Sequence, residues 1–234
     1  NQYALNADDG KGWLGATDSA LTSGIDLAQQ VRGFVLQGMS AGAGDSPAAR
    51  QTLATQVDNL RQSMLGIANS GYLGRPLFGG TTAGTAAYDA NGGYVGDSGT
   101  VLRTLSGSDQ VRVDTPGPAT FGTGSAQIFT VLSSISSDLR SNPSALAGDL
   151  ASLDTTTLSM QGQLADVGAR YNRLGQLGQA ATDRAADLHT QLSGVEDIDL
   201  PKTIMELQLQ QTAYQAALGA TAKAIQPSLL DFLR

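Results

Sequence analysis

Reactive side chains are scarce in this chain, and those present do not stand in a catalytic arrangement. There is one histidine, His189, and no cysteine. His189 directly follows Leu188, a member of a helical apolar stripe, which places the imidazole on a solvated flank rather than at a base or ligand position. Without thiols there is no thiolate nucleophile, disulfide or cysteine zinc site, and no Ser–His–Asp set exists beyond His189. Phe78-Gly79-Gly80 is glycine-rich but lacks the Lys-Ser/Thr pair and the preceding strand of a phosphate loop, so it reads as a turn. Glu196, Asp197 and Asp199 gather carboxylates without the spaced ligands and glycine of a calcium loop. They fit a helix start, where negative charge meets the positive end of the helix dipole. Trp13 is isolated and reads as packing. The expectation is a non-enzyme with no catalytic, cofactor-binding or metal residues.

What the chain has instead is pattern. Leu146, Leu150, Leu153, Thr157, Met160, Leu164, Val167, Tyr171, Leu174, Gly178, Ala181, Ala185, Leu188 and Leu192 keep an alternating 4-3 spacing. A mean period of 3.5 holds one narrow stripe toward a partner helix, as in a coiled coil. At 1.5 Å per residue such a helix reaches about 70 Å, a rod suited to assembly. Gly162, Gly168, Gly175 and Gly178 fall within it, each costing about 1 kcal/mol relative to alanine, so the monomer is expected to be soft.

Composition agrees with a rod. Hydrophobic residues make up 41% of the 234, aromatics 5% and charged residues 15%, the last against about a quarter in ordinary domains. The net charge of -7 argues against nucleic acid or an anionic membrane surface, both of which need a basic patch. No apolar run is long enough to span a bilayer. No basic-then-apolar leader follows Asn1, so no cleaved signal peptide is expected.

The helical pattern comes in blocks. From Trp13 to Met39, Leu14, Leu21, Ala28, Val31 and Val35 form a stripe widened by Ile25, Leu27 and Phe34. Asp45-Ser46-Pro47 reads as a capped helix start, followed by Leu53, Val57, Leu60, Met64 and Ile67 up to about Asn69. The texture then changes. From Gly71 to about Gly124, Gly, Thr, Asp and Ser dominate. Asn91-Gly92-Gly93 is a turn signal between Tyr88 and Tyr94, and Val101–Leu105 with Gln110–Asp114 reads as a hairpin. Helix resumes with Ile128, Leu132, Ile135 and Leu139, breaks at Asn142-Pro143, and passes into the long heptad helix, which closes around Ser193-Gly194. Pro201 opens a last helix with Ile204, Leu207, Gln211, Tyr214, Leu218, Thr221 and Ile225 at the same spacing.

The fold class is therefore mainly α: an elongated antiparallel helical bundle or coiled-coil rod with a small inserted β-rich domain. Its expected divisions are 1–70 and 126–199 as the two sides of the rod, 71–125 as the insert, and 200–234 as an assembly helix and tail. The insert is expected to lean on the rod, at the far end where the chain turns back. In the last helix the only charge between Thr203 and Ala222 is Glu206. A helix neutral on every side expects neighbours on every side. The assembly contacts are expected at Ile204, Leu207, Tyr214, Leu218, Ile225, Leu229 and Phe232.

Several segments resemble the bacterial flagellin family. Asp18-Ser19-Ala20-Leu21, Ala68-Asn69-Ser70-Gly71 and Leu77-Phe78-Gly79-Gly80 are similar to its helical region. Tyr94-Val95-Gly96-Asp97-Ser98-Gly99 and the C-terminal Gln210–Ala216 and Ser228–Leu233 are similar to its hook-associated members. Pro76 departs from the family, where an aromatic is common. The resemblance implies a mainly helical structural protein that joins hook to filament by self-assembly. It implies the first hook-associated protein, flagellin and further copies of the chain as partners. It also implies an export chaperone on the C-terminal segment, an extracellular flagellar location reached without a cleaved leader, and a first family helix ahead of Asn1. A filament-forming flagellin and a secreted coiled-coil tip or adhesive protein remain the alternatives.

Overall fold

The computed structural model describes residues 2–40, 46–196 and 200–225. It divides into two compact units, Asn1–Asp183 and Arg184–Arg234. The architecture is mainly α, with long helices and two small two-stranded sheets.

The first unit is built on two long helices. α1 (Gln2–Met39) begins well before the expected Trp13, because Ala7 and Gly10 continue its buried face. Leu14, Leu21, Ala28, Val31 and Val35 are buried as expected, and Ile25, Leu27 and Phe34 pack half-buried beside them. α5 (Leu146–Glu196) passes the expected stop at Ser193-Gly194. The two helices run antiparallel in constant register. Gly38 of α1 faces Leu146, Gly24 faces Met160, Gly10 faces Leu174, and Ala7 faces Gly178. Along α5, Leu146, Leu153, Met160, Val167 and Leu174 are fully buried at heptad spacing. The alternate row is not: Leu150, Thr157 and Leu164 are half-buried, and Tyr171 is exposed. One partner helix covers one row of a seam, and the other row needs a second neighbour.

α2 (Pro47–Ala68) and α4 (Ile128–Ser141) pack on each other and on the C-terminal half of α1. Ser46 takes the N-cap position ahead of Pro47 but makes no side-chain capping bond, a correction to the expected cap; Asp45 lies outside the described residues. Leu53, Val57 and Met64 of α2 and Ile128, Leu132, Ile135 and Leu139 of α4 belong to one buried cluster. Arg140 bridges to Asp58 at 2.6 Å. The Asn142-Pro143 break is a 3-10 turn, Pro143–Ala145. Across this corner Asp149, in the first turn of α5, has its carboxyl pushed up to about 6 by burial and by the neighbouring Asp138 carboxylate.

Between α2 and α4, residues 71–124 carry little strand. β1 (Gly71–Tyr72) pairs with β2 (Arg75–Pro76) around a two-residue turn, Leu73-Gly74, both at positive φ, as tight hairpins require. β3 (Leu102–Thr104) pairs with β4 (Gln110–Arg112) in the expected hairpin, and α3 (Gly117–Phe121) follows. An aromatic cluster of Phe78, Tyr88, Phe121 and Phe129 fills the space below, with edge-on contacts such as Phe78–Phe121 at 4.9 Å. Gly80 sits at φ 70, where a Cβ would lie 2.5 Å from the Asp97 carbonyl. Its bare backbone lets the Asp97 segment close over the Phe78-Gly79-Gly80 turn, and Asp97 Oδ1 accepts the Thr81 N–H at 2.7 Å.

This region lies along α1 rather than beyond the tip of the helices. Trp13 packs edge-on against Tyr72 at 5.9 Å, Asp9 pairs with Arg103 at 2.6 Å, and Asn6 Nδ2 donates to the Thr104 carbonyl at 2.8 Å. Arg170 of α5 donates to the Asp114 carbonyl at 2.9 Å. The expected dependence of the insert on the rod is thus carried by specific bonds, but its place is alongside, because α1 and α5 extend past the point where α2 gives way to the insert.

Candidate assembly surface

In the second unit lies α6 (Leu200–Ile225), opened by Pro201 in its first turn, where the missing N–H costs nothing. Ala, Leu and Gln dominate it, and all three favour helix. From Leu207 to Ala222 it carries no charge. Yet every described side chain of α6 is exposed. Ile204, Leu207, Tyr214 and Leu218 fall on one stripe and stand open at 52%, 54%, 67% and 53%. Ile225 closes the helix with its side chain outside the description, and Leu229 and Phe232 lie outside the described residues.

A second apolar row was missed by the sequence reading. Met205 and Leu209 are 63% and 71% exposed, on a line continued by Thr212 and Ala216. The signal was present as a second 4-3-4 series, two residues ahead of Leu207, Gln211, Tyr214 and Leu218. A helix with two apolar rows is not satisfied by a single partner.

The end of α5 that belongs to this unit shows the same state: Leu188, Leu192 and Val195 are exposed. His189 is exposed there as well. Glu196 closes α5, whereas Asp197 and Asp199 lie outside the described residues. Within the first unit the clefts between α1 and α5 are shallow and open. One is lined by Ala28, Arg32, Asp154 and Leu158, with Arg32 paired to Asp154 at 3.0 Å; another is lined by Gly15, Asp18, Gly168 and Tyr171. Among the described residues, no cluster of three or more His, Cys, Asp or Glu could hold a metal ion. No described helix is long and apolar enough to cross a membrane. The chemistry this surface supports is association through apolar and neutral polar contact.

No family model matches the chain. It is 28% identical over 197 residues to flagellar hook-associated protein 3 of Escherichia coli K12, covering 73% of this chain and 62% of that protein. It is 24% identical over 225 residues to the protein of the same name from Salmonella typhimurium LT2, covering 85% of this chain and 69% of the relative. The chain thus spans about two thirds of the length of the curated relatives it matches. A solved structure of a flagellar hook-associated protein from Vibrio parahaemolyticus superposes with a TM-score of 0.74 at 21% identity, covering 82% of this chain and 89% of that one. At that identity the structure speaks for the fold, and the sequence matches carry the rest. Fold and sequence converge: the chain resembles the bacterial flagellin family and, within it, flagellar hook-associated protein 3.

Proposed function

We propose that this chain is a non-enzymatic structural component of the bacterial flagellum that joins hook to filament by subunit self-assembly. The observation that carries the reading is α6, a helix without charge over its central turns whose described apolar side chains all stand open. Burying one large aliphatic side chain is worth about 1.5–3 kcal/mol, so exposed rows of this size are a standing drive toward association. Ile204, Leu207, Tyr214 and Leu218, continued by Ile225, Leu229 and Phe232, carry the subunit contacts, and Met205 and Leu209 add a second row. Residues 71–125 face outward from the assembled tube.

The partners are the first hook-associated protein on one side, flagellin on the other, and copies of this chain between them. An export chaperone covers the C-terminal segment before assembly, which would shield the same apolar rows. The location is extracellular, at the hook–filament junction, reached through flagellar export. The names of the curated relatives favour the junction over the filament.

Electron microscopy of a strain lacking the gene tests this. Hooks without filaments, with monomeric flagellin in the medium, are the expected result. Filaments of normal length on such cells would overturn the proposal.

A further inference from the structure

Asn91-Gly92 is the chain's only Asn-Gly pair, and the fold treats it unusually. In such a pair the glycine nitrogen is unhindered and can attack the asparagine side-chain carbon. The new bond joins Gly92 N to Asn91 Cγ, the Cγ–Nδ2 bond breaks, and ammonia leaves a five-membered succinimide. Water then opens that ring at either carbonyl, leaving an aspartyl or isoaspartyl residue at position 91. The Asn91 side chain is exposed, so water has access.

The backbone around it is held on every side. Gly92 N–H donates to the Asp89 carbonyl at 3.0 Å. Asn91 N–H and Gly93 N–H both donate to Asp89 Oδ1 at 2.8 Å. Arg61 Nη2, from α2, donates to the Asn91 carbonyl at 2.9 Å. Gln127 Nε2 donates to the Gly92 carbonyl at 2.7 Å. Gly92 itself lies at φ 92 against Phe129, where a Cβ would be only 2.9 Å from the ring-bearing side chain. Ring closure consumes the Gly92 N–H, so the bond to the Asp89 carbonyl must be given up, and the nitrogen must move while Arg61 holds the neighbouring Asn91 carbonyl.

We infer that Asn91-Gly92 is a deamidation site that the folded turn holds closed, so that modification at this position records opening of the turn. The consequence of modification is structural. An acid at position 91 stands beside Asp89, and an isoaspartyl link adds a backbone atom where Gly92 packs on Phe129, loosening the attachment of the turn to α2 and α4.

The test is to incubate the full chain in mildly alkaline buffer, folded and in denaturing urea, and to follow the peptide containing position 91 by mass spectrometry with isoaspartate resolved. Reaction requires a local opening, and the folded rate scales with the open fraction, so the folded chain is expected to react at least about tenfold more slowly. Asp89→Ala removes two of the turn's bonds and is expected to raise the folded rate several-fold while the helical circular dichroism stays unchanged. If that variant does not fold, Gln127→Ala takes its place with the same expectation. Equal rates in the folded and unfolded wild-type chain, or a folded variant that reacts no faster than wild type, would overturn the inference.

Discussion

Asn69, at the C-cap of α2, bonds the backbone of Tyr88 twice: its Nδ2 donates to the Tyr88 carbonyl at 2.9 Å and its Oδ1 accepts the Tyr88 N–H at 2.8 Å. The same oxygen accepts the Ala87 N–H at 2.9 Å. One side chain thus takes the place of a strand edge and fastens the aromatic cluster to the end of a helix. Asn69→Ala is expected to lower unfolding stability by about 2–3 kcal/mol, since part-buried partners lose three bonds. Chemical denaturation measures this, and near-ultraviolet circular dichroism reports the loosening around Tyr88. An unchanged midpoint would show that water replaces the amide without cost.

Two glycines of α5 answer opposite questions. A Cβ at Gly178 would lie 2.8 Å from Ala7 Cβ, whereas one at Gly162 meets nothing within 4 Å. Gly178→Ala is expected to destabilise by about 1–3 kcal/mol less the helix-propensity gain, because neither methyl can swing away. Gly162→Ala is expected to stabilise the monomer by about 0.5–1 kcal/mol. Thermal unfolding of both variants checks the contrast in sign.

The Asp149 carboxyl gives the fold a pH dependence. Its folded value of about 6 stands above the ordinary 3.8 because of burial and the adjacent Asp138. Between these values the folded state binds the proton more tightly than the unfolded chain, so stability falls as pH rises through that window. Solvent screening at this half-buried site reduces the effect to about 1 kcal/mol. Asp149→Asn is expected to flatten the dependence between about pH 4 and pH 6 and to raise stability at neutral pH. Denaturation midpoints across that range, wild type against variant, decide it.

Tyr214→Asp places a charge on an open apolar row. Tyr214 is 67% exposed, so the monomer's thermal stability is expected to change by less than about 0.5 kcal/mol. Assembly is where the loss should appear. Complementation of a deletion strain with this variant is expected to give poor motility and detached filaments. Normal motility with firmly attached filaments would count against α6 as the contact surface.

Much of the helical frame was legible because it is written locally. The stripe Leu14, Leu21, Ala28, Val31 and Val35, the break at Asn142-Pro143 and the two arms of β3 and β4 follow from periodicity, proline geometry and alternation. The lack of charge from Leu207 to Ala222 was legible in the same way, since charge content is a property of the residues themselves. The Met205–Leu209 row is written in the same local pattern, beside the stronger stripe.

Sequence alone therefore determined where most helices run and which side chains are apolar enough to seek a partner, although α1 starts ahead of Trp13 and α5 runs past Gly194. Only the tertiary structure decided which of those partners are present within the chain. The seam of α5 is uniform in sequence, yet Leu174 is buried and Tyr171 and Leu188 are open. Likewise Gly178 fits a close approach to Ala7 while Gly162 touches nothing. The reason is that burial depends on a second surface brought from far along the chain, and no local pattern encodes the register at which it arrives.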